Sequence, residues 1–130
     1  MKILYADDDI DDCELLVEAL EKIDPKIECT MVNDGRQALN VLSDDSPLPD
    51  YIFLDVNMPV MDGKHCLMEL KKDQRFRDIP VVIYSTTQNE NEINELYAMG
   101  AKEYIRKPNS FNDLCFSLKT VITRLQSQAA

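Results

Sequence analysis

The residues best equipped for chemistry start at "ADDDIDD", Ala6 to Asp12, where five aspartates fill positions 7 to 12 directly after the apolar run Ile3–Tyr5. Like charge crowded in this way is either a solvated acidic turn or half of a cation site. Three distant places in the chain bear on the choice. "YIFLD" ends at Asp55, "VVIYSTT" runs into Ser85, Thr86 and Thr87, and "YIRKP" brings Lys107 and Pro108. In each, a polar group follows immediately on an apolar run. Three carboxylates held together (Asp7, Asp8, Asp55) raise one another's pKa unless something positive sits among them. A hard divalent ion with oxygen ligands meets that need. Magnesium suits it best, with manganese as the alternative, because it binds through few carboxylates and leaves positions open for phosphate oxygens. A lysine is a mobile point charge suited to one phosphoryl oxygen, and a serine hydroxyl donates to another. With an aspartate as nucleophile, the set is suited to accept a phosphoryl group.

Such residues act together only if the fold brings them to one edge. Strand-like and helix-like patterns alternate along the whole chain. "KILYA" is too continuously apolar for a strand with one wet face. From Asp9 to about Ile23, apolar residues recur at three- and four-residue steps, as in an amphipathic helix that "IDPK" then breaks. A strand follows over Ile27–Val32, and "GRQALNVLSDD" reads as a second, shorter helix. "SPLP" punctuates before the strand "DYIFLD", and the loop "MPVMDG" leads into a helix from about Lys64 to Lys72. "IPVVIYSTT" is the most strand-like run, rich in β-branched residues. "NENEINELYAMG" is a polar helix with Gly100 as its C-terminal cap. "KEYIRKP" is a fifth strand, and Phe111 to about Gln126 form the last helix. Five strands alternating with five helices predict an α/β fold, a five-stranded parallel sheet with helices on both faces. Ligands bind such sheets beyond the carboxyl ends of the strands, where strand order reverses. Asp7, Asp8, Asp55, Ser85 and Lys107 all fall there, whereas Asn33 and Asp34 after the second strand carry no clear signal.

Each residue taken alone has a plainer reading. Asp9 is expected to be a helix N-cap, and Asp11 and Asp12 to be first-turn acids that complement the helix dipole and face water. Ser85 alone reads as a strand-end hydroxyl and Lys107 alone as a surface lysine; their joint placement carries the argument.

Composition bounds the rest. The chain has 130 residues, expected to form one domain over 1–130, and 45% of them are hydrophobic. Its 14 basic and 24 acidic residues give a net charge of −10, which argues against nucleic acid or an anionic membrane as direct partner. No run reaches the roughly 18 apolar residues of a membrane span, and "MKILYADDD" does not read as a signal peptide, so a cytoplasmic location is expected. Cys13, Cys29, Cys66 and Cys115 form no CxxC pair, and His65 is the single histidine. Reduced thiols acting as small apolar groups are expected, with His65 partly exposed on a helix.

The ordered set Asp7–Asp8, "LDVNMPVMDG" over 54–63, Ser85 after "VVIY", and "KP" at 107–108 resembles the receiver domain of two-component response regulators. The thirty residues from Asp55 to Ser85 and twenty-two from Ser85 to Lys107 agree with that family, and the resemblance covers essentially the whole chain. It implies the (βα)5 flavodoxin-like doubly wound fold, with Asp55 as phosphoacceptor from a sensor histidine kinase, a histidine phosphotransfer protein or a small phosphodonor. It implies magnesium held by Asp8 and Asp55 directly, by Asp7 through water and by the backbone carbonyl of Asn57. By the same resemblance, Lys107 would pair with Asp55 at rest and with a phosphoryl oxygen afterwards. Ser85 would swing onto the phosphoryl group, and Tyr104 matches the family's aromatic switch position, whose ring turns inward with it.

The implied readout face comprises the fourth helix, fifth strand and fifth helix, serving an unknown downstream protein or a homodimer. Glu90, Glu92 and Glu95 there favour a basic or polar partner. Serine stands at 85 where threonine is more usual. Thr86 stands where alanine or glycine is common, and its bulk is expected to hinder water and slow the loss of phosphate. By the resemblance, Asn57 and Thr87 occupy positions that tune dephosphorylation in that family.

No output domain is expected after the fifth helix, so a stand-alone receiver is the first reading and a fragment of a longer regulator or hybrid kinase the second. "DIPVVIYSTT" and "GAKEYIRKP" are similar to single-domain regulators serving bacteriophytochrome-type kinases. The receiver reading implies no enzyme beyond self-phosphorylation and dephosphorylation. An aspartate-nucleophile phosphatase would want Asp-x-Asp at its nucleophile, and Asp55 is followed by Val56 and Asn57. A flavin carrier would want a hydroxyl- and glycine-rich loop where five aspartates stand.

Overall fold

Near-continuous apolar runs form strands that can be buried on both faces, and the helices between them supply the covers. The computed structural model describes residues 1–44 and 47–128. Its elements are β1 (Lys2–Ala6), α1 (Ile10–Ile23), β2 (Glu28–Val32), α2 (Gly35–Ser43), β3 (Tyr51–Leu54), α3 (Gly63–Lys72), β4 (Val81–Ser85), α4 (Glu90–Ala98), β5 (Glu103–Arg106) and α5 (Phe111–Gln128). All four strand pairings are parallel, and the order is β2-β1-β3-β4-β5. The expected doubly wound, flavodoxin-like α/β fold is present. Differences from the expected elements lie at their ends. β1 has the expected bounds, the other four strands are shorter than expected, and α5 extends two residues further. The second helix, expected through Asp45, ends at Ser43, where the Asp44 N–H bonds back to the Val41 carbonyl; Asp45 lies outside the described residues.

Alternation along each strand sorts the core into two layers. Ile3, Tyr5, Phe53, Val82, Tyr84 and Ile105 face α1 and α5, and Leu4, Ala6, Ile52, Leu54, Val81 and Ile83 face α2, α3 and α4. Leu16 and Leu20 on α1 are buried, so Leu→Ala at either costs about 2–5 kcal/mol. The edge strand β2 is the exception, with most of its residues exposed or half-exposed.

Short polar side chains set the helix starts. Asp9, Asp34, Asp62 and Asn89 each accept a bond from a backbone N–H three residues on, which satisfies a donor the helix leaves free. The expected N-cap at Asp9 is thereby found. After α4, Gly100 adopts φ 114°, the left-handed conformation that lets the chain leave a helix without a Cβ clash. Val60, in the β3–α3 loop, takes φ 64° although it is β-branched, and the Met61 N–H bonds to the Pro59 carbonyl across it at 2.6 Å. That is strained backbone, worth about 1–3 kcal/mol. Cys13 and Cys66 are buried, Cys29 and Cys115 half-buried, and none forms a disulfide. Burial pushes the Cys66 and Cys29 thiols up to about 12. Among the described residues, no helix is long and apolar enough to cross a membrane.

Candidate functional site

Strand order reverses between β1 and β3, because β1 connects outward to β2 and β3 connects the other way to β4. The crevice beyond their carboxyl ends is where a ligand meets this kind of sheet. Side-chain parity then decides what lines it. Asp7 continues the row of Tyr5, Asp55 that of Phe53 and Lys107 that of Ile105, all on the α1/α5 side. Ser85 continues the row of Ile83, on the α3/α4 side. The site therefore has two walls, one charged and one carrying hydroxyls.

Lys107 organises the charged wall. Its ammonium lies 2.7 Å from Asp12 Oδ2, 2.9 Å from Asp7 Oδ2 and 3.2 Å from Asp55 Oδ2, with the lysine side chain only 9% exposed. Three donors thus meet three carboxylates, and the ammonium also sits 5.4 Å from the centre of the Tyr84 ring. Burial works against charge on Lys107, but the bonds to Asp12 and Asp7 and the nearby Asp55 charge outweigh it and hold the ammonium above its ordinary range. Asp7 is wholly buried and locked from three sides. It accepts from the Tyr5 hydroxyl, from the Asp9 N–H at 3.0 Å and from Lys107. Tyr5 packs edge-on against Tyr84, and its own ionisation is pushed far up, first by burial and then by Asp7.

Oxygen atoms of Asp7, Asp8 and Asp55 lie within 4.8 Å of one another, with Asp7 and Asp55 buried and Asp8 exposed. Asp55 is pushed up to about 6, mainly by burial, with Lys107 opposing and Asp7 adding to the rise. With Asp12 included, four carboxylates face one ammonium, which leaves three negative charges uncompensated (4 − 1). The donor set therefore fits a hard divalent cation. All three clustered ligands are oxygens, the charge excess calls for a cation, and exposed Asp8 gives it a way in.

The hydroxyl wall is tied less tightly. Ser85 is fully buried, and its Oγ accepts a long 3.4 Å bond from the Thr87 N–H. Thr87 Oγ1 donates to Glu92 at 3.1 Å and accepts from the Asn89 N–H at 3.3 Å. The Tyr104 hydroxyl, half-buried, donates to the Thr87 carbonyl at 2.5 Å. The Lys107 N–H bonds to the Ser85 carbonyl at 2.8 Å and joins the two walls through the backbone. Thr86 and Asn57 are exposed.

The fold thus brings Asp7, Asp8, Asp55 and Lys107 together and sets Ser85 and Tyr104 on the facing wall. One expectation is corrected. Asp12 does not face water with Asp11; it is half-buried and makes the shortest contact to Lys107. The signal was present in the helix period. Asp12 lies four residues before Leu16 and seven before Ala19, on the buried stripe of α1, while Asp11 lies four before exposed Leu15. The bond from Tyr5 to Asp7 also went unread, although residues two apart in a strand share a face. Gly63 is a third. A Cβ there would stand 2.0 Å from the Asp55 carbonyl oxygen, and its N–H bonds to the Val56 carbonyl at 2.9 Å. Only glycine lets the start of α3 approach the end of β3 so closely.

Comparison with known proteins points the same way. Residues 3–119 match the response regulator receiver domain family. The chain is 32% identical over 117 residues to response regulator Rcp1 of Synechocystis sp., covering 86% of this chain and 80% of that protein. It is similar in structure to the phosphorylated cyanobacterial phytochrome response regulator RcpA, with TM-score 0.90, 33% identity and coverage of 99% and 96%. It is also similar to the Mn(2+)-bound form of Rcp1, with TM-score 0.83, 30% identity and coverage of 92% and 90%.

Proposed function

The chain belongs to the response regulator receiver domain family, and on that premise we propose that it accepts a phosphoryl group on Asp55 and signals by changing its protein contacts. The observation that carries this reading is the buried Asp55 carboxylate within reach of Lys107, with Asp7 and Asp8 beside it. An Asp55 oxygen attacks phosphorus, the new O–P bond forms, and the N–P bond of a phosphohistidine breaks. The electron pair returns to the imidazole, which takes a proton from solvent. Lys107 then bonds one phosphoryl oxygen, and the Ser85 hydroxyl bonds another.

Asp8 and Asp55, with Asp7 through water and the Asn57 carbonyl, would hold magnesium or manganese. Once bound, the ion neutralises charge on the phosphoryl oxygens and so eases attack by a carboxylate. The manganese-bound Rcp1 form supports a divalent ion here without distinguishing the two metals. A loop held in two arrangements supplies the switch. The phosphoryl group favours the one with Ser85 drawn inward, and Tyr104, bonded to Thr87, follows the same loop.

The donor would be a sensor histidine kinase or histidine phosphotransfer protein, and the phytochrome-linked neighbour favours a phytochrome-type kinase. The protein would turn over no other substrate. The α4–β5–α5 face would meet a downstream protein or a second copy. Its chemistry is more mixed than its acidic residues alone imply. Glu92 bonds Thr87, Glu95 pairs with Lys64 at 2.5 Å, and Phe116 and Tyr97 are exposed at 73% and 43%. A partner carrying both apolar and basic groups fits it.

Incubation with acetyl phosphate and magnesium, read by intact mass, tests the reading. The wild type should gain one phosphoryl mass and Asp55→Asn none. No adduct on the wild type, or an equal one on the variant, overturns it.

A further inference from the structure

We propose that Asp12 is a positioning residue that acts through Lys107. It holds the ammonium at rest and competes with a phosphoryl oxygen for it. This inference rests on Asp55 being the phosphoacceptor.

The argument starts from a count of donors. An ammonium has three N–H groups, and Lys107 spends them on Asp12, Asp7 and Asp55 at 2.7, 2.9 and 3.2 Å. None is spare in a side chain that is 9% exposed. When the Asp55 oxygen attacks acetyl phosphate, the new O–P bond forms and the bond to the acetate oxygen breaks, with acetate leaving with the electron pair. The N–H that faced Asp55 passes to a phosphoryl oxygen only if the ammonium follows it, and the contacts to Asp12 and Asp7 hold the ammonium back.

The three partners are not equally free to yield. Asp7 is wholly buried and tied by Tyr5 and the Asp9 N–H, so separating it from Lys107 would strand a charge out of water. Asp55 is the reacting group itself. Asp12 has a side chain 29% exposed, and among the described residues its carboxylate has no hydrogen-bond donor besides Lys107. Released, it turns to water at little cost. Its contact is also the shortest, so it competes with the incoming group for the ammonium. Its charge further repels an anionic phosphodonor. Both effects act in one direction: Asp12 restrains phosphorylation.

The test is the rate of phosphorylation by acetyl phosphate in magnesium, followed by intact mass on the folded wild type and four variants. Asp12→Asn keeps the shape, removes the charge and should raise the rate about fivefold, the size of a partly exposed charge pair. Asp12→Ser should show the same gain if the asparagine variant folds poorly. Asp12→Glu restores charge and reach and should return to the wild-type rate. Asp11→Asn removes an equal charge one residue away, on the exposed side of α1, and should match wild type. A wild type that is phosphorylated alongside an Asp12→Asn no faster than it overturns this inference alone. So does an equal gain from Asp11→Asn, because the effect would then be net charge rather than the hold on Lys107. A wild type that forms no adduct overturns the phosphoacceptor reading, and the inference with it.

Discussion

The two walls of the site are built to different standards. On the α1/α5 side, Asp7 has three donors and Lys107 has three acceptors. On the α4 side, Ser85 Oγ accepts one long bond and Thr86 is exposed. The loop rests there on Thr87, through single contacts to Glu92, Asn89 and Tyr104. Single hydrogen bonds of this kind are worth about 1 kcal/mol net, so the second wall rearranges at modest cost, while in the first only half-exposed Asp12 is free to do so. The difference teaches that the site separates its tasks. One side keeps charge in place against repulsion, and the other is loose enough to change partner.

The sharpest way to break this comparison is to test the rigid wall for the divalent cation proposed above. At a hundredfold excess over Kd, bound magnesium should stabilise the wild type by about 2.7 kcal/mol, a rise of roughly 10 °C in Tm. Asp8→Ala removes the exposed carboxylate of the cluster without touching the core, so on the proposed reading its Tm should be the same with and without magnesium. An unchanged magnesium shift in that variant would place the ion elsewhere. The next effect runs the other way. Asp55 holds its proton up to about pH 6 in the folded chain, above an unfolded carboxyl near 4, so the folded state binds more protons between those values. Stability of the metal-free protein therefore falls as pH rises through that window, and the cost persists at neutral pH. Asp55→Asn should be more stable than wild type by about 1–2 kcal/mol at pH 7 without metal, and the difference should vanish near pH 4. A less stable Asp55→Asn at pH 7 would mean that the Lys107 contact outweighs the burial.

The charged wall was mostly legible in the amino-acid sequence, and the reason is geometric. A parallel sheet puts the residue after every strand on one edge, so "YADD", "IFLD", "VIYS" and "IRKP" had to meet there. The elements themselves followed from continuous apolar runs and three-to-four-residue steps. Asp12 was misread because its position after an N-cap matches a plain helix start. Which way a first-turn side chain points depends on how α1 rotates to bury Leu16 and Leu20. Gly63 and Val60 were opaque for another reason. A near-contact between two backbones, or a positive φ in a β-branched residue, leaves no trace in hydropathy. Exposure on the α4–β5–α5 face could not be read either, because the engagement of Glu92 and Glu95 depends on contacts with Thr87 and Lys64.

Two smaller effects sharpen the comparison from the loose side. Tyr104→Phe removes the bond to the Thr87 carbonyl and leaves the ring's packing intact. Amide exchange over residues 86–89 should speed up about fivefold, the equivalent of about 1 kcal/mol, with global Tm moving by no more than a few degrees. A change that spreads into β1 or α1 would mean the walls are not separable.

The smallest effect belongs to Thr86. Its side chain is exposed beside the buried Ser85 and makes no hydrogen bond among the described residues, so it can act only through bulk. Bulk there is expected to shield the phosphoryl group proposed on Asp55 from water. Thr86→Ala should therefore shorten the phosphoryl lifetime about threefold, a barrier change of about 0.6 kcal/mol, and leave the rate of phosphorylation and Tm as they are. The asymmetry is what matters. A variant that changes loading and loss equally would show Thr86 acting on the shared charged wall, and one that lengthens the lifetime would show that its bulk does not shield the phosphate at all.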